Sequence, residues 1–164
     1  MIETKKLLLR QFEPTDREYT IALLKNPEFM VCSPTGAMTN EQAECRFQKL
    51  LTAYEQCGVG KLALVEKLSG ELIGYCGIET FQHQGNDVVE LGYRIRTQSR
   101  GKGYAFEAST AVLSYAKQMG CPSVWALTES ENAPSMHILL QLGFQPRGSG
   151  LFENMPVNYF EKCL

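Results

Sequence analysis

The feature that most constrains this chain is a change of period across two glycines. Val88 to Ile95 reads as a strand and Gln98-Ser99-Arg100-Gly101-Lys102-Gly103-Tyr104-Ala105 follows it. Ala105, Ala108, Val112, Tyr115 and Met119 then recur at helical spacing, and Gly120 with Pro122 ends the helix. A strand that turns through glycines into a helix sets unpaired N–H groups and partial positive charge at the strand's end. Glycine there lets backbone approach an anion with no Cβ in the way. The unit is therefore a candidate cradle for a pyrophosphate, and Arg100 and Lys102 add formal positive charge. Taken alone, GxG fits a tight turn that binds nothing equally well. Two other anion-binding patterns fit less well. No GxxxxGK[ST] occurs, and Phe106 stands where a dinucleotide fingerprint needs its third glycine.

The rest of the chain sorts by the same signals. Leu7 to Phe12 is an apolar strand, and Thr15-Asp16-Arg17-Glu18 has capping-box spacing for a helix ending near Asn26-Pro27. Val31 to Ala37, with Pro34 and Gly36, reads as a loop. Thr39-Asn40-Glu41-Gln42 opens a second helix, carried by Phe47, Leu50, Leu51 and Tyr54 and stopped at Gly58. Lys61 to Lys67 and Glu71 to Ile78 are strands around Leu68-Ser69-Gly70, and Gly85-Asn86 turns into Val88 to Ile95. Ser123 to Thr128 is a buried-type strand, Asn132 to Leu142 a helix closed by Gly143, and Phe144 to Gly150 and Pro156 to Cys163 the final strands. The expected order is β-α-α-β-β-β-α-β-α-β-β, an α/β fold with a mixed sheet and helices on both faces. The 164 residues, with no repeat or linker, suit one domain over 1–164.

Charge and cysteine usage set the expected surroundings. A formal net charge of -2 gives no global pull toward nucleic acid or membrane lipid. No apolar run approaches the roughly 20 residues that span a bilayer, and Leu7-Leu8-Leu9 is too short for a signal-peptide core. Cys32, Cys45, Cys57, Cys76, Cys121 and Cys163 form no CxxC pair, and His83 and His137 are the only histidines. That grouping is too loose for a zinc site. The expectation is reduced thiols, several of them in the core, no metal, and a cytoplasmic protein, monomer or homodimer.

Gln98-x-x-Gly101-x-Gly103 resembles the (Gln/Arg)-x-x-Gly-x-(Gly/Ala) signature of the GNAT superfamily of N-acetyltransferases. Glu90-Leu91-Gly92-Tyr93-Arg94-Ile95 is similar to the preceding strand of the subgroup that acetylates ribosomal-protein N-termini. Asn132-x-x-Ser135 with Leu142-Gly143-Phe144 resembles its later helix, and Thr4-Lys5-Lys6-Leu7-Leu8-Leu9-Arg10 its opening strand. The resemblance spans nearly the whole chain in order. It implies a mostly antiparallel sheet with a splayed central parallel strand pair, Val88 to Ile95 and Ser123 to Thr128, and acetyl-CoA lying in the V between them. It also implies that backbone at Ile95, Arg96 and Thr97 pairs with the pantetheine arm. Gln98, Ser99, Arg100, Gly101, Lys102, Gly103, Tyr104 and Ala105 would hold the pyrophosphate, and Asn132 and Ser135 would contribute from the helix.

Acetyl transfer to a primary amine needs a base to free the nitrogen lone pair and a donor for the leaving thiolate. Strand alternation sets Glu90, Gly92 and Arg94 on one face and Leu91, Tyr93 and Ile95 on the other. Glu90 is the candidate base, with Gly92 leaving room beside it for substrate or water; the alternative is a solvated pair with Arg94. Ser135 is the candidate acid or thiol-orienting donor, since Leu139 stands where many members of the resembled family carry tyrosine. The alternative is a serine bonded to backbone in the first helical turn. Asn132 fits an N-cap as readily as a cofactor contact. Tyr93, Trp125 and Phe144 read as core, and His137 as an ordinary helix residue. Arg10, Glu79 and the loop over 31–37 are candidates for an acceptor pocket. The alternatives at the level of function are a small-molecule amine acetyltransferase and a non-catalytic coenzyme A-binding regulatory module.

Overall fold

The computed structural model describes residues 1–164. Its elements in chain order are β1 (Ile2–Glu3), β2 (Leu7–Arg10), α1 (Arg17–Leu24), α2 (Asn40–Cys57), β3 (Lys61–Glu66), β4 (Leu72–His83), β5 (Asn86–Ile95), α3 (Tyr104–Gln118), β6 (Ser123–Glu129), α4 (Ala133–Gln141), β7 (Gln145–Phe152) and β8 (Met155–Cys163). All eight strands form one sheet in the order β1-β2-β3-β4-β5-β6-β8-β7. Every neighbouring pair is antiparallel except β5 with β6, and that parallel pair is joined at one position, Glu90 opposite Trp125. Beyond it the two strands part. The mixed sheet, the splayed parallel pair and the helices on both faces follow the expectation from sequence.

Local chemistry explains where elements begin. Thr39 and Gln42 cap α2 reciprocally, the Gln42 N–H donating to Thr39 Oγ1 at 3.2 Å and the Thr39 N–H to Gln42 Oε1 at 2.9 Å. Gly58, at φ 71°, closes that helix in the left-handed region. The start of α1 differs from the expected Thr15–Glu18 box. The Asp16 carboxylate accepts the Glu13 N–H at 2.8 Å, and Arg10 grips the same carboxylate with two bonds of 2.8 and 2.9 Å. That bidentate pair moves the cap back to Glu13, and a 3-10 turn over Pro14–Asp16 precedes α1. Arg10 is thereby committed to the fold and away from any acceptor pocket.

The hairpins run longer than their sequence signals. β4 continues through His83 to a two-residue turn, where Gln84 and Gly85 both have positive φ. The β7–β8 turn is likewise two residues, Glu153 and Asn154, both with positive φ. Such turns match the twist of paired strands, so pairing extends to the tip.

Two cores flank the sheet. On one face Ile78, Leu91, Ile95, Val124, Ala126 and Phe160 pack against Ala108, Val112 and Ala116 of α3 and Leu139 of α4, and Phe144 lies in this core as expected. On the other face Phe12, Leu24, Phe47, Leu50, Ala63 and Tyr75 form the core under α1 and α2. Of the six cysteines, all unpaired, only Cys76 is buried, which corrects the expectation of several core thiols. No helix is long and apolar enough to cross a membrane.

The close approach of β3 to β4 at Gly77 gives a test of this packing. A Cβ there would overlap the Gly60 carbonyl oxygen and lie 2.7 Å from Lys61 Cα, both backbone atoms. Gly77→Ala is expected to lower unfolding free energy in urea by about 3 kcal/mol, the upper end for an overpacked site. An unchanged denaturation midpoint would show that the β3–β4 spacing is wrong.

Candidate active site

β5 runs straight into the glycine turn. Gly101 and Gly103 take φ of 76° and 79°, a conformation that favours glycine, and Gly103 is the N-cap of α3. The Glu107 N–H returns to the Gly103 carbonyl and the Arg100 N–H to that of Thr97, but the six amides from Gly101 to Phe106 meet no backbone acceptor. A run of free donors at a helix N-terminus suits a multiply charged anion. Side chains around it serve other ends. Arg100 Nε donates to the Ile95 carbonyl at 2.9 Å and Nη2 to that of Glu28 at 3.0 Å. Lys102 lies 3.6 Å from Glu66, whose carboxylate accepts the Tyr104 hydroxyl at 2.6 Å. Ser99 is buried and its hydroxyl accepts from Arg96 Nε at 2.8 Å. Gln98 and Thr97 are exposed, and Ala105 offers its amide. The free donors of this turn are therefore backbone groups, while Arg100 and Lys102 are engaged by neighbouring oxygens.

The split between β5 and β6 opens beside this turn. The Arg96 N–H pairs with the Ile73 carbonyl of β4 at 2.8 Å, so alternation turns the backbone of Tyr93 and Ile95 toward the gap. Arg96 itself faces away, its guanidinium bonded to Glu71, Tyr19 and Ser99. On the far side α4 begins at Asn132, whose Oδ1 accepts the Ser135 N–H at 3.2 Å, so Asn132 is an N-cap. The Ser135 hydroxyl is not bonded to backbone. It lies 2.7 Å from the Tyr93 hydroxyl, 42 residues away in sequence. Tyr93, expected as core, is half-buried and ties β5 to α4. Burial pushes its phenol up to about 12, against the pull of Ser135, so it stays protonated.

Glu90 sits in a charged cluster that the sequence does not announce. Its direct cross-strand partner is Glu79. Arg46 of α2 lies 3.1 Å from Glu79 and Lys61 of β3 lies 3.4 Å from it, Lys61 also donating to the Gly77 carbonyl at 3.3 Å. The room expected at Gly92 is taken: a Cβ there would lie 2.7 Å from Lys61 Nζ and 3.2 Å from Glu90 Oε1. Gly92 admits a buried lysine rather than substrate. Nor does Arg94 pair with Glu90, since its guanidinium donates to the carbonyls of Phe29 at 3.0 Å and Val31 at 2.8 Å. The two carboxylates titrate apart. Burial pushes Glu90 above its ordinary value and Glu79 adds to this, while Lys61 and Arg46 pull the other way. For Glu79 burial also opposes ionisation, but Lys61 and Arg46 together hold it low. Carboxyl pairs driven apart in this way occur in acid–base sites and in structural ion networks alike.

The remaining candidates separate. The loop over 31–37 does reach across the split, with Val31 over Arg94 and the Cys32 thiol beside Glu129 of β6; burial, then that carboxylate, pushes the thiol up. His137 is exposed on α4. Trp125, expected as core, is half-buried on the same face as Glu90. No group of three or more His, Cys, Asp and Glu side chains is arranged to hold a metal.

The sequence profile described as "Acetyltransferase (GNAT) domain" matches residues 6–145. Among curated proteins, the uncharacterised N-acetyltransferase YnaD of Bacillus subtilis is 27% identical over 99% of this chain and 87% of its own length. A GNAT-family acetyltransferase structure from Bacillus anthracis superposes with a TM-score of 0.80 at 23% identity, covering 99% of this chain and 97% of that one. RimL, a ribosomal L7/L12 α-N-protein acetyltransferase solved with coenzyme A, has a TM-score of 0.80 at 13% identity, with 98% and 96% covered.

The split titration predicts opposite stability profiles. Glu90 is raised, so the folded chain holds a proton there that the unfolded chain releases. That contribution is complete below the ordinary glutamate value and is lost as pH rises through the folded one. Glu79 is lowered, so its contribution is present above the ordinary value and is lost as pH falls through the folded one. Glu79→Gln should cost at least about 2 kcal/mol at neutral pH by leaving Lys61 and Arg46 uncompensated. Glu90→Gln should cost little there and should flatten the decline on the alkaline side. Chemical denaturation from pH 4 to 9 checks both; equal losses for the two variants would contradict the division of roles.

Proposed function

Because the chain belongs to the GNAT acetyltransferases, we propose that it is a cytoplasmic enzyme, one unit over 1–164, that moves an acetyl group from acetyl-CoA to a primary amine by direct attack in a ternary complex. The observation that carries this reading is the run of six free amides beside the opening between β5 and β6. It suits the pyrophosphate of coenzyme A, and RimL is a protein of the same fold solved with coenzyme A. The outward-turned backbone of Tyr93 and Ile95 offers strand-like pairing for the amides of the pantetheine arm.

Glu90 then serves as base. Its raised carboxyl holds a proton more readily than an exposed glutamate, so it can take one from the attacking amine, directly or through water. Glu79, kept ionised between two cations, balances Lys61 and Arg46 so that Glu90 need not. As the C–N bond forms and the C–S bond breaks, the sulfur takes up charge. The Tyr93 and Ser135 hydroxyls lie 2.7 Å apart and either can donate; when Tyr93 donates, the Ser135 proton is free to be given toward that sulfur. This reading extends to protein N-termini and small amines alike. Glu90 at the bridge where β5 and β6 begin to part, and the Tyr93–Ser135 pair on the opposite face of β5, favour catalysis over a coenzyme A-binding module without activity.

Mass spectrometry of a mixed amine and peptide panel incubated with acetyl-CoA is the test of the reaction. N-acetyl products that require the protein are expected, and binding of acetyl-CoA with no acetylated product would favour the module. Within the reaction, Tyr93→Phe should lower kcat about tenfold, the size of one lost hydrogen bond, with KM for acetyl-CoA little changed. Adding Ser135→Ala to it should cost little more than Ser135→Ala alone, because the two hydroxyls act as one unit. Additive losses would mean that Tyr93 does not act through Ser135.

A further inference from the structure

The sheet face that carries Glu90 is covered by α1 and α2 over one half only. Over β4, β5 and β6 the bare half begins at Glu90 and is built of rings. Phe81 and His83 follow Glu79 along β4 at alternate positions, hence on the same face. Trp125 is the register partner of Glu90. The His83 ring lies 4.5 Å from that of Trp125 and 4.7 Å from that of Tyr159 on β8. Phe81 stacks on His83 at 6.2 Å and meets Phe152 of β7 at 5.8 Å. All five rings are half-buried, neither core nor fully solvated.

The surroundings of Glu90 close its other sides. Toward β3 stand Glu79, Lys61 and Arg46, mutually paired. Toward the end of β5, Lys61 fills the space over Gly92 and Arg94 is held under the loop at Val31. A nitrogen delivered to Glu90 on this face has the ring wall as its open neighbour. We propose that the wall of Trp125, His83, Phe81, Tyr159 and Phe152 is the acceptor subsite, and that it selects primary amines carrying an aromatic ring a few bonds from the nitrogen. The inference rests on the reading of Glu90 as the base. A ring lying on this wall gains offset-stacked or edge contacts that a flexible alkyl chain does not, and it loses less rotational freedom on binding. The wall then orients the amine against Glu90.

The test compares 2-phenylethylamine with n-hexylamine as acceptors for acetyl-CoA, using the native protein, Trp125→Leu and Trp125→Phe. Coenzyme A binding by calorimetry reports that each variant is folded. The subsite predicts kcat/KM at least about tenfold higher for the aryl amine, the scale of one or two aromatic contacts. It predicts that Trp125→Leu removes most of that preference through KM, and that Trp125→Phe restores part of it. Equal rates for the two amines, with acetylation of both, overturn the subsite and leave the acetyltransferase reading standing. Acetylation of neither amine, with coenzyme A still bound, counts against both readings. A native dimer that Trp125→Leu dissociates, with the aryl preference intact, makes the wall a contact between two copies and overturns the proposal.

Discussion

One parallel bridge, Glu90 opposite Trp125, governs this structure. It joins the hairpin-built half of the sheet, β1 to β5, to the half made by β6, β8 and β7. Because β5 and β6 part beyond it, backbone groups near Tyr93 and Ile95 lie on the edge of a gap inside a continuous sheet. Exposed strand edges invite pairing. Here α4 reaches that edge through the Tyr93–Ser135 contact, and the loop at Val31 accepts a bond from Arg94 on the other face. The glycine turn follows within a few residues, and its free amides stand at the gap's end. Topology thus sets an unpaired strand edge beside a run of free amides, the two features on which the proposed binding of acetyl-CoA rests.

The same bridge organises charge. Of two glutamates facing each other across β4 and β5, one is held ionised by Lys61 and Arg46 and the other is left with its carboxyl raised. Glu79 offsets both cations under α2, and Lys61 reaches its place because residue 92 has no Cβ. Stability and, in the proposed reaction, proton transfer are therefore divided between neighbours that look equivalent in sequence. A raised carboxyl is costly to ionise and is for that reason a useful base near neutral pH.

What the sequence made legible were features with a local cause. The Thr39–Gln42 box, the Gly58 stop, the helical stripe after Gly103 and the glycine turn each follow from chemistry within a few residues. Misreadings arose where a distant partner decides the outcome. Arg10 reset the start of α1 by gripping Asp16. Trp125 reads as core by type yet lies on a bare sheet face, whereas Tyr93 packs against the core as expected and its hydroxyl also bonds a serine on a different element. Glu90 was legible from strand alternation, whereas its neighbours were not. Lys61 and Arg46 come from β3 and α2, and no spacing in the chain links them to β5. Two-residue hairpin turns at Gln84-Gly85 and Glu153-Asn154 lack a strong Asn-Gly or Asp-Gly signal, so the strand ends ran past their expected limits.

The central claim is that Glu90 removes the proton of the attacking amine. Turnover of native protein and Glu90→Gln from pH 6 to 10, with an amine from the panel that the native protein acetylates, tests it most directly. Gln keeps the shape and loses the basicity. A positioned base is worth about 10²–10⁴-fold, so kcat should fall within that range at neutral pH, KM for acetyl-CoA should hardly move, and activity should recover in part at high pH where the amine is already neutral. Parallel profiles within a factor of about three, too small for a lost base, would contradict the account and leave Glu90 a structural member of its cluster.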